Sequence, residues 1–313
     1  QRGCSGGRIA PYFRIRVLRS EIPEAAHQSL LHRQRQYLLS GGMPEAVLVL
    51  QETGSLVEAA AVHRRIISTY QDDFAKYAHR DRLALLQRVF LAIPRQVGQK
   101  VKYVSYSRES PAKDVREALD LLTKARVCHR VPSSHCSGVP LHADINENVS
   151  KLLLLDVGLM NHVCGLDWTA LREMSDLTLV NEGAIAEQLI GQHLVHASGG
   201  LERPSAVYWL REGRSSNAEV DFVISHGTEV VPVEVKAGRS GSLRSLHQLM
   251  LAGKATRAVV FDTNRPSRQL VQVQAPTGSG WRDVSYELLS LPLYAVGELS
   301  RLLAREAKQG APR

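Results

Sequence analysis

Apolar positions recur at helical spacing through most of the first half of the chain and at strand-like spacing through the second. From Ala25 to Leu39 the helical period is clear and ends at Gly41-Gly42, a strong helix stop. Met43-Pro44-Glu45-Ala46-Val47 opens a second, short helix. Ala59 to Ala78 predicts a long helix with Val62, Ile66, Ile67, Tyr70, Phe74 and Tyr77 on one stripe, and Leu83 to Val97 predicts its partner. Ser110-Pro111 reads as a cap and first position. In the helix that follows, Val115, Ala118, Leu119, Leu122 and Ala125 form the buried stripe, leaving Lys113, Arg116, Glu117, Asp120 and Lys124 to solvent. Two strand-like runs come next, Arg126 to Val131 and Val139 to Ala143, separated by Pro132-Ser133-Ser134. At the start, Phe13, Ile15 and Val17 alternate with arginines as an exposed strand would.

The second half changes character. Lys151-Leu152-Leu153-Leu154-Leu155-Asp156 reads as a buried strand ending in Asp-Val-Gly, and Asn181 to His196 as a helix. Three strands are predicted at Ser205 to Arg211, Ala218 to Ile224 and Glu229 to Lys236, then a helix from Gly241 to Leu251 and a strand from Ala258 to Asp262. Leu291 to Leu303 reads as a strand passing into a terminal helix. Such alternation points to an α/β (α+β) arrangement, a mixed sheet covered by helices. In the first half, the order of three helices and a hairpin is that of a winged helix-turn-helix, whose third helix and wing commonly touch nucleic acid.

Length and charge refine this picture. At 313 residues two domains are expected, each able to bury its own core. No apolar run reaches the roughly 18 residues of a spanning helix, so no membrane association is expected. Four cysteines and no secretory layout at the start make a reducing, cytoplasmic setting the expectation. The net charge is +8, and all of the excess lies in residues 1–150, with 22 Lys+Arg against 14 Asp+Glu. Residues 151–313 hold 17 of each. A basic half joined to a neutral half fits one part holding a polyanion such as DNA, with Lys113, Arg116, Lys124 and Arg130 as the candidate contacts. A merely soluble basic surface gives the same count.

The candidate chemistry lies around two strands. In Ala218-Glu219-Val220-Asp221-Phe222-Val223-Ile224 and Val230-Val231-Pro232-Val233-Glu234-Val235-Lys236, alternation puts Glu234 and Lys236 on one face and Val231, Val233 and Val235 on the other. A hairpin centred on Gly227 sets Asp221 opposite Val233, to within one residue of register, within reach of Glu234. Two carboxylates that close repel unless a cation or proton intervenes, and Mg2+ or Mn2+ could supply the cation through oxygen ligands. Lys236 could then position an attacking water. Glu187, in line with Gly183, Ala184, Ile190, Gly191 and Leu194 on the preceding helix, is the candidate third acid, with Glu182 as the alternative. The competing reading is a structural ion-pair cluster on a sheet.

The helix glutamate, Asp221 and Glu234-Val235-Lys236 resemble the PD-(D/E)xK nuclease superfamily, in which an acid and a lysine stand two apart on a core strand. A wider set of motifs looks, in order and spacing, like the C-terminal half of prokaryotic AAA-type ATP-binding proteins, which carries the domain of unknown function 4143. These are Gly41-Gly42-Met43-Pro44-Glu45-Ala46-Val47, Tyr70-Gln71-Asp72-Asp73, Lys151-Leu152 with Asp156-Val157-Gly158-Leu159, and Gly183 to Glu187. They continue through Tyr208-Trp209-Leu210-Arg211, Glu219-Val220-Asp221-Phe222 and Val233-Glu234-Val235-Lys236-Ala237-Gly238. The resemblance covers roughly Leu30 to Asp262. It implies a remnant of an ATPase module over 1–25, a helical, winged-helix-like domain over 26–150, a restriction-endonuclease-like mixed sheet flanked by helices over 151–305, and a polar tail over 306–313. No Gly-x-x-x-x-Gly-Lys-Ser/Thr loop occurs in this sequence, so the chain is expected to carry no ATP site of its own, and a separate ATPase is a candidate partner. Two functions follow: a DNA-associated protein with metal-dependent phosphodiester hydrolysis at Glu187, Asp221, Glu234 and Lys236, or a catalytically inactive nuclease-like interaction module of an ATPase system.

Three further features carry less. Cys128-His129 and His135-Cys136 could ligate zinc, but adjacent strand residues point to opposite faces, which argues against convergence. Tyr208 and Trp209 are expected in the core rather than stacked on a base, and Gly213 to Asn217 reads as a polar loop near the acids.

Overall fold

A computed structural model describes residues 22–77, 80–165, 182–197, 205–212, 217–238, 242–253, 255–277 and 280–304. The expected strand at Phe13–Val17 and the polar tail lie outside the described residues, as do positions 213–216 of the polar loop.

Helices α1 (Glu24–Ser40), α2 (Pro44–Thr53), α3 (Leu56–Tyr77) and α4 (Arg80–Ala92) follow the helical periods of the sequence. Gly41 ends α1 with φ 58° and ψ −161°, a conformation open essentially to glycine alone. Pro44 opens α2 in the first turn, where its missing N–H costs no hydrogen bond. Helix α5 (Ala112–Lys124) buries Val115, Ala118, Leu119 and Leu122 as its pattern requires. Its cap differs from expectation. Pro111 occupies the cap position, and the Ser110 hydroxyl accepts from that of Ser107 instead of capping the helix.

Among the described residues the strands form one eight-stranded mixed sheet in the order β2-β1-β3-β4-β5-β6-β8-β7. They are β1 (Cys128–Ser134), β2 (Ile145–Leu154), β3 (Val207–Arg211), β4 (Ala218–His226), β5 (Glu229–Val235), β6 (Arg257–Asp262), β7 (Ser267–Thr277) and β8 (Gly280–Pro292). Between them lie α6 (Val157–Val163), α7 (Glu182–His196) and α8 (Arg244–Leu251), and α9 (Leu299–Ala304) follows β8.

The expected wing hairpin is redrawn. Pro132-Ser133-Ser134 belongs to β1 rather than to a turn, since a register shift between Pro132 and Ser133 accommodates the proline. Val139–Ala143 is not a strand. Leu141–Asp144 forms a 3-10 turn, and the Asp144 carboxylate closes the loop by accepting from Ser134 Oγ and the Ser137 N–H. Strand β2 then runs through residue 150, where the sequence suggested a division, and β1 pairs in parallel with β3.

Two hydrophobic layers flank the sheet. The larger joins α3, α4, α5 and α7 with Leu152, Leu153, Phe222, Val231 and Val233, so residues from both halves share one core. The other lies under α8 and includes Val207, Trp209, Val220, Val223, Val230 and Val260. Helix α7 approaches the first face closely, for a Cβ on Gly191 would meet Leu153 Cδ1 at 2.5 Å and Phe222 Cζ at 2.7 Å. Gln188 of the same helix pairs its side-chain amide with both the N–H (2.9 Å) and C=O (2.8 Å) of Leu154, satisfying the backbone of an outer strand. No helix among the described residues is long and apolar enough to cross a membrane.

Candidate functional site

Strands β4 and β5 pair antiparallel with Phe222 opposite Val233, one residue from the expected register, which sets Asp221 beside Glu234. Opposite β3, β4 carries an extra residue: Val207 pairs with Val223 but Trp209 with Val220. Asp221 and Phe222 fill this bulge, where the alternation of side chains between faces is interrupted. Asp221 Oδ2 accepts from the Val235 N–H at 2.8 Å, tying the bulge to β5.

Around Asp221 the acids divide between the two faces. On the α7 side, the Lys151 side chain is 1% exposed and its ammonium lies 2.8 Å from Glu187 Oε1, 2.5 Å from Glu219 Oε1 and 3.9 Å from Asp221 Oδ1. It also sits 5.2 Å from the Tyr208 ring centroid. Burial alone would lower the Lys151 pKa, but the Glu187, Asp221 and Glu219 carboxylates outweigh it and hold the ammonium charged well above the usual lysine range. Burial pushes the Glu187 carboxyl up, while Lys151 pulls it back. A turn covers Glu187 from outside, because a Cβ on Gly98 (φ 78°) would stand 2.7 Å from Glu187 Oε2.

Glu234 belongs to the other group. Val231 and Val233 pack in the α7 layer, so alternation sends Glu234 and Lys236 toward the α8 side, as the sequence implied. Lys236 Nζ donates to Glu234 Oε1 at 2.6 Å. Glu234 Oε2 is buried without a hydrogen-bond partner among the described residues. Burial and the nearby Asp221 charge raise its pKa to about 7, against the pull of Lys236.

The sequence-derived set is thus brought together in part. Asp221 neighbours both groups, whereas Glu187 and Glu234 lie on opposite sides of the sheet. Glu182 stands in the first turn of α7, partly exposed. A divalent ion would need several of these oxygens facing one point. That point on the α7 side is taken by an ammonium, and Glu234 is held by Lys236. Among the described residues no group of three or more His, Cys, Asp or Glu side chains is arranged to hold a metal. In this arrangement Glu187 and Glu219 face the Lys151 ammonium and Glu234 faces Lys236, so their oxygens do not share one point. Lys151 and Glu219, both inside the motifs singled out from the sequence, were given no part at the acids there.

Two of the four candidate nucleic-acid contacts, Arg116 and Arg130, are ion-paired within the chain. Arg130 Nη2 lies 2.9 Å from Asp120, Arg116 lies 3.9 Å from the same carboxylate, and Arg82 pairs with Glu117 at 2.6 Å. Lys113 and Lys124 remain on the exposed side of α5. Cys128 and Cys136 are buried in different layers, so the zinc arrangement does not form. Tyr208 and Trp209 are core residues.

Two of the sequence motifs meet at a second place. The Asp156 carboxylate caps α6 by accepting from the Leu159 N–H at 3.0 Å, and its other oxygen accepts from the Gly42 N–H at 2.7 Å. A Cβ on Gly158 would come within 2.6 Å of the Gly41 nitrogen. The Gly41-Gly42 and Asp156-Val157-Gly158 motifs therefore interlock, which gives both a structural reason.

No curated protein and no solved structure matches the chain. Two family models do: residues 31–170 match a domain of unknown function, DUF8612, and residues 182–277, which hold α7 and the acids of β4 and β5, match a domain of unknown function, DUF4143.

Proposed function

We propose that the chain is a nuclease-like interaction module of an AAA-type ATPase system, in which the PD-(D/E)xK-like acids are structural and not hydrolytic. The observation that carries this reading is the position of the Lys151 ammonium, within ion-pairing distance of Glu187, Glu219 and Asp221. An internal cation neutralises buried acids without turnover, and its partners fix strand β2, helix α7 and strand β4 relative to one another. The resemblance of the motif series to ATPase-linked proteins supports the partner class.

A second reading, DNA-associated hydrolysis with Asp221, Glu234 and Lys236, draws on one observation: the unpartnered, buried Glu234 Oε2 beside Asp221. Incubating supercoiled plasmid with the chain and Mg2+ or Mn2+ separates the two. No cleavage above that given by Asp221→Ala and Lys236→Ala is expected. Nicking by the parent that both substitutions abolish would establish the hydrolytic reading and overturn the proposal.

A further inference from the structure

The α8 side of the sheet carries a pocket of about 530 Å³, and we propose that it binds a phosphate monoester carried on an apolar body. Its volume falls within the roughly 300–1,000 Å³ of small-molecule sites. It lies at the carboxyl ends of β5, β6 and β8, which run parallel to one another. In open α/β sheets this is where ligands are taken up. The register places its lining on one face: Glu234 pairs with Val260 and Val260 with Ser290, so Lys236, Asp262 and Leu288, each two residues along, project to the same side.

The pocket has an apolar part and a cationic part. Leu243, Val260 and Leu288 offer an apolar wall. Asp262 is buried, but its carboxylate is satisfied within the chain. It accepts from the Asn264 N–H at 2.7 Å, the Asn264 side-chain amide at 3.0 Å and Ser290 Oγ at 2.8 Å. It therefore calls for no cation and instead fixes the rim.

The cations lining the pocket are Lys236, which donates to Glu234 Oε1 at 2.6 Å, and Arg265, and they reach it from different elements. Arg265 is loosely held, 3.6 Å from Glu24 Oε2 and 3.5 Å from the Ile22 carbonyl, with its side chain 46% exposed. Its remaining N–H donors can form a fork to an oxyanion. A phosphate monoester has three terminal oxygens and can engage both cations at once, whereas a carboxylate fills only one such fork. Lys236 would be drawn from Glu234 toward the ligand. This inference needs neither a metal nor hydrolysis, but it shares Lys236 with the acids described above, and Arg265→Gln tests the pocket without touching the Lys236–Glu234 pair.

The test is calorimetric titration of the full chain with phenyl phosphate, alongside inorganic phosphate, phenol and benzoate. Saturable one-to-one binding of phenyl phosphate is expected, at least tenfold tighter than inorganic phosphate or benzoate, with no heat from phenol. Arg265→Gln, at an exposed side chain whose loss leaves the core intact, should weaken it at least tenfold, as should Lys236→Gln. No saturable binding, binding unchanged in both variants, or benzoate binding as tightly as phenyl phosphate would each overturn the proposal.

Discussion

Lys151→Ala is expected to lower the unfolding free energy by about 3–5 kcal/mol, the usual cost of removing one partner from a buried ion pair. The magnitude comes from what remains behind. Glu187 is buried and Glu219 and Asp221 are mostly covered, so three carboxylates would face one another without a cation. A small side chain also leaves a void beneath Tyr208. Urea denaturation followed by circular dichroism measures the loss. Adding Glu187→Gln to Lys151→Ala removes one of the stranded charges and should restore part of the stability, a coupling that simple cavity formation would not give. A loss below about 1 kcal/mol would be typical of an exposed pair and would mean that Lys151 does not hold the acids together.

Gly41→Ala is expected to cost about 3 kcal/mol, from a backbone conformation that non-glycine residues rarely adopt and from a collision. The new Cβ would strike the Asp156 carboxylate, standing 2.6 Å from its Cγ. Asp156 has little freedom to withdraw, because it caps α6 and binds the Gly42 N–H, and a lost cap costs about 1 kcal/mol by itself. Gly54 provides the control. It also has positive φ (66°), but a Cβ there meets nothing within 4 Å. Gly54→Ala should therefore cost only about 1 kcal/mol of backbone conformational energy. Equal losses at the two positions would show that the junction of the glycine pair with Asp156 is loose.

Helices α3 and α5 were legible because each sets an apolar stripe into the larger core. The long α3 helix and the α5 stripe at Val115, Ala118, Leu119 and Leu122 emerged with small shifts at their ends. Strands β4 and β5 were legible for the equivalent reason in period two. The wing was misread because Pro132 suggested a turn, whereas a local register shift lets the strand pass through it. The β7–β8 hairpin went unnoticed, although Val271, Val273 and Ala275 alternate with Gln272 and Gln274 ahead of Thr277-Gly278-Ser279-Gly280.

At the acids, local pattern gave the facing of Glu234 and Lys236 but not the partner of Glu187. Strand alternation sets facing within one element. The approach of Lys151 to Glu187 depends on how α7 packs over β2, a tertiary relation with no local signature. Lys151 began a run of leucines and read as the polar end of a buried strand; the fold instead buries its ammonium among carboxylates.

If the acids are shared between Lys151 and Lys236 as described, the described residues offer no oxygen cage for a divalent cation. Titration of Mn2+ into the full chain at neutral pH, followed by calorimetry and by the Mn2+ magnetic-resonance signal, measures this. The expected result is the absence of saturable binding, with the Asp221→Ala trace superimposing on that of the parent. Stoichiometric binding that disappears in Asp221→Ala would contradict the assignment of these acids to structure and return them to hydrolysis.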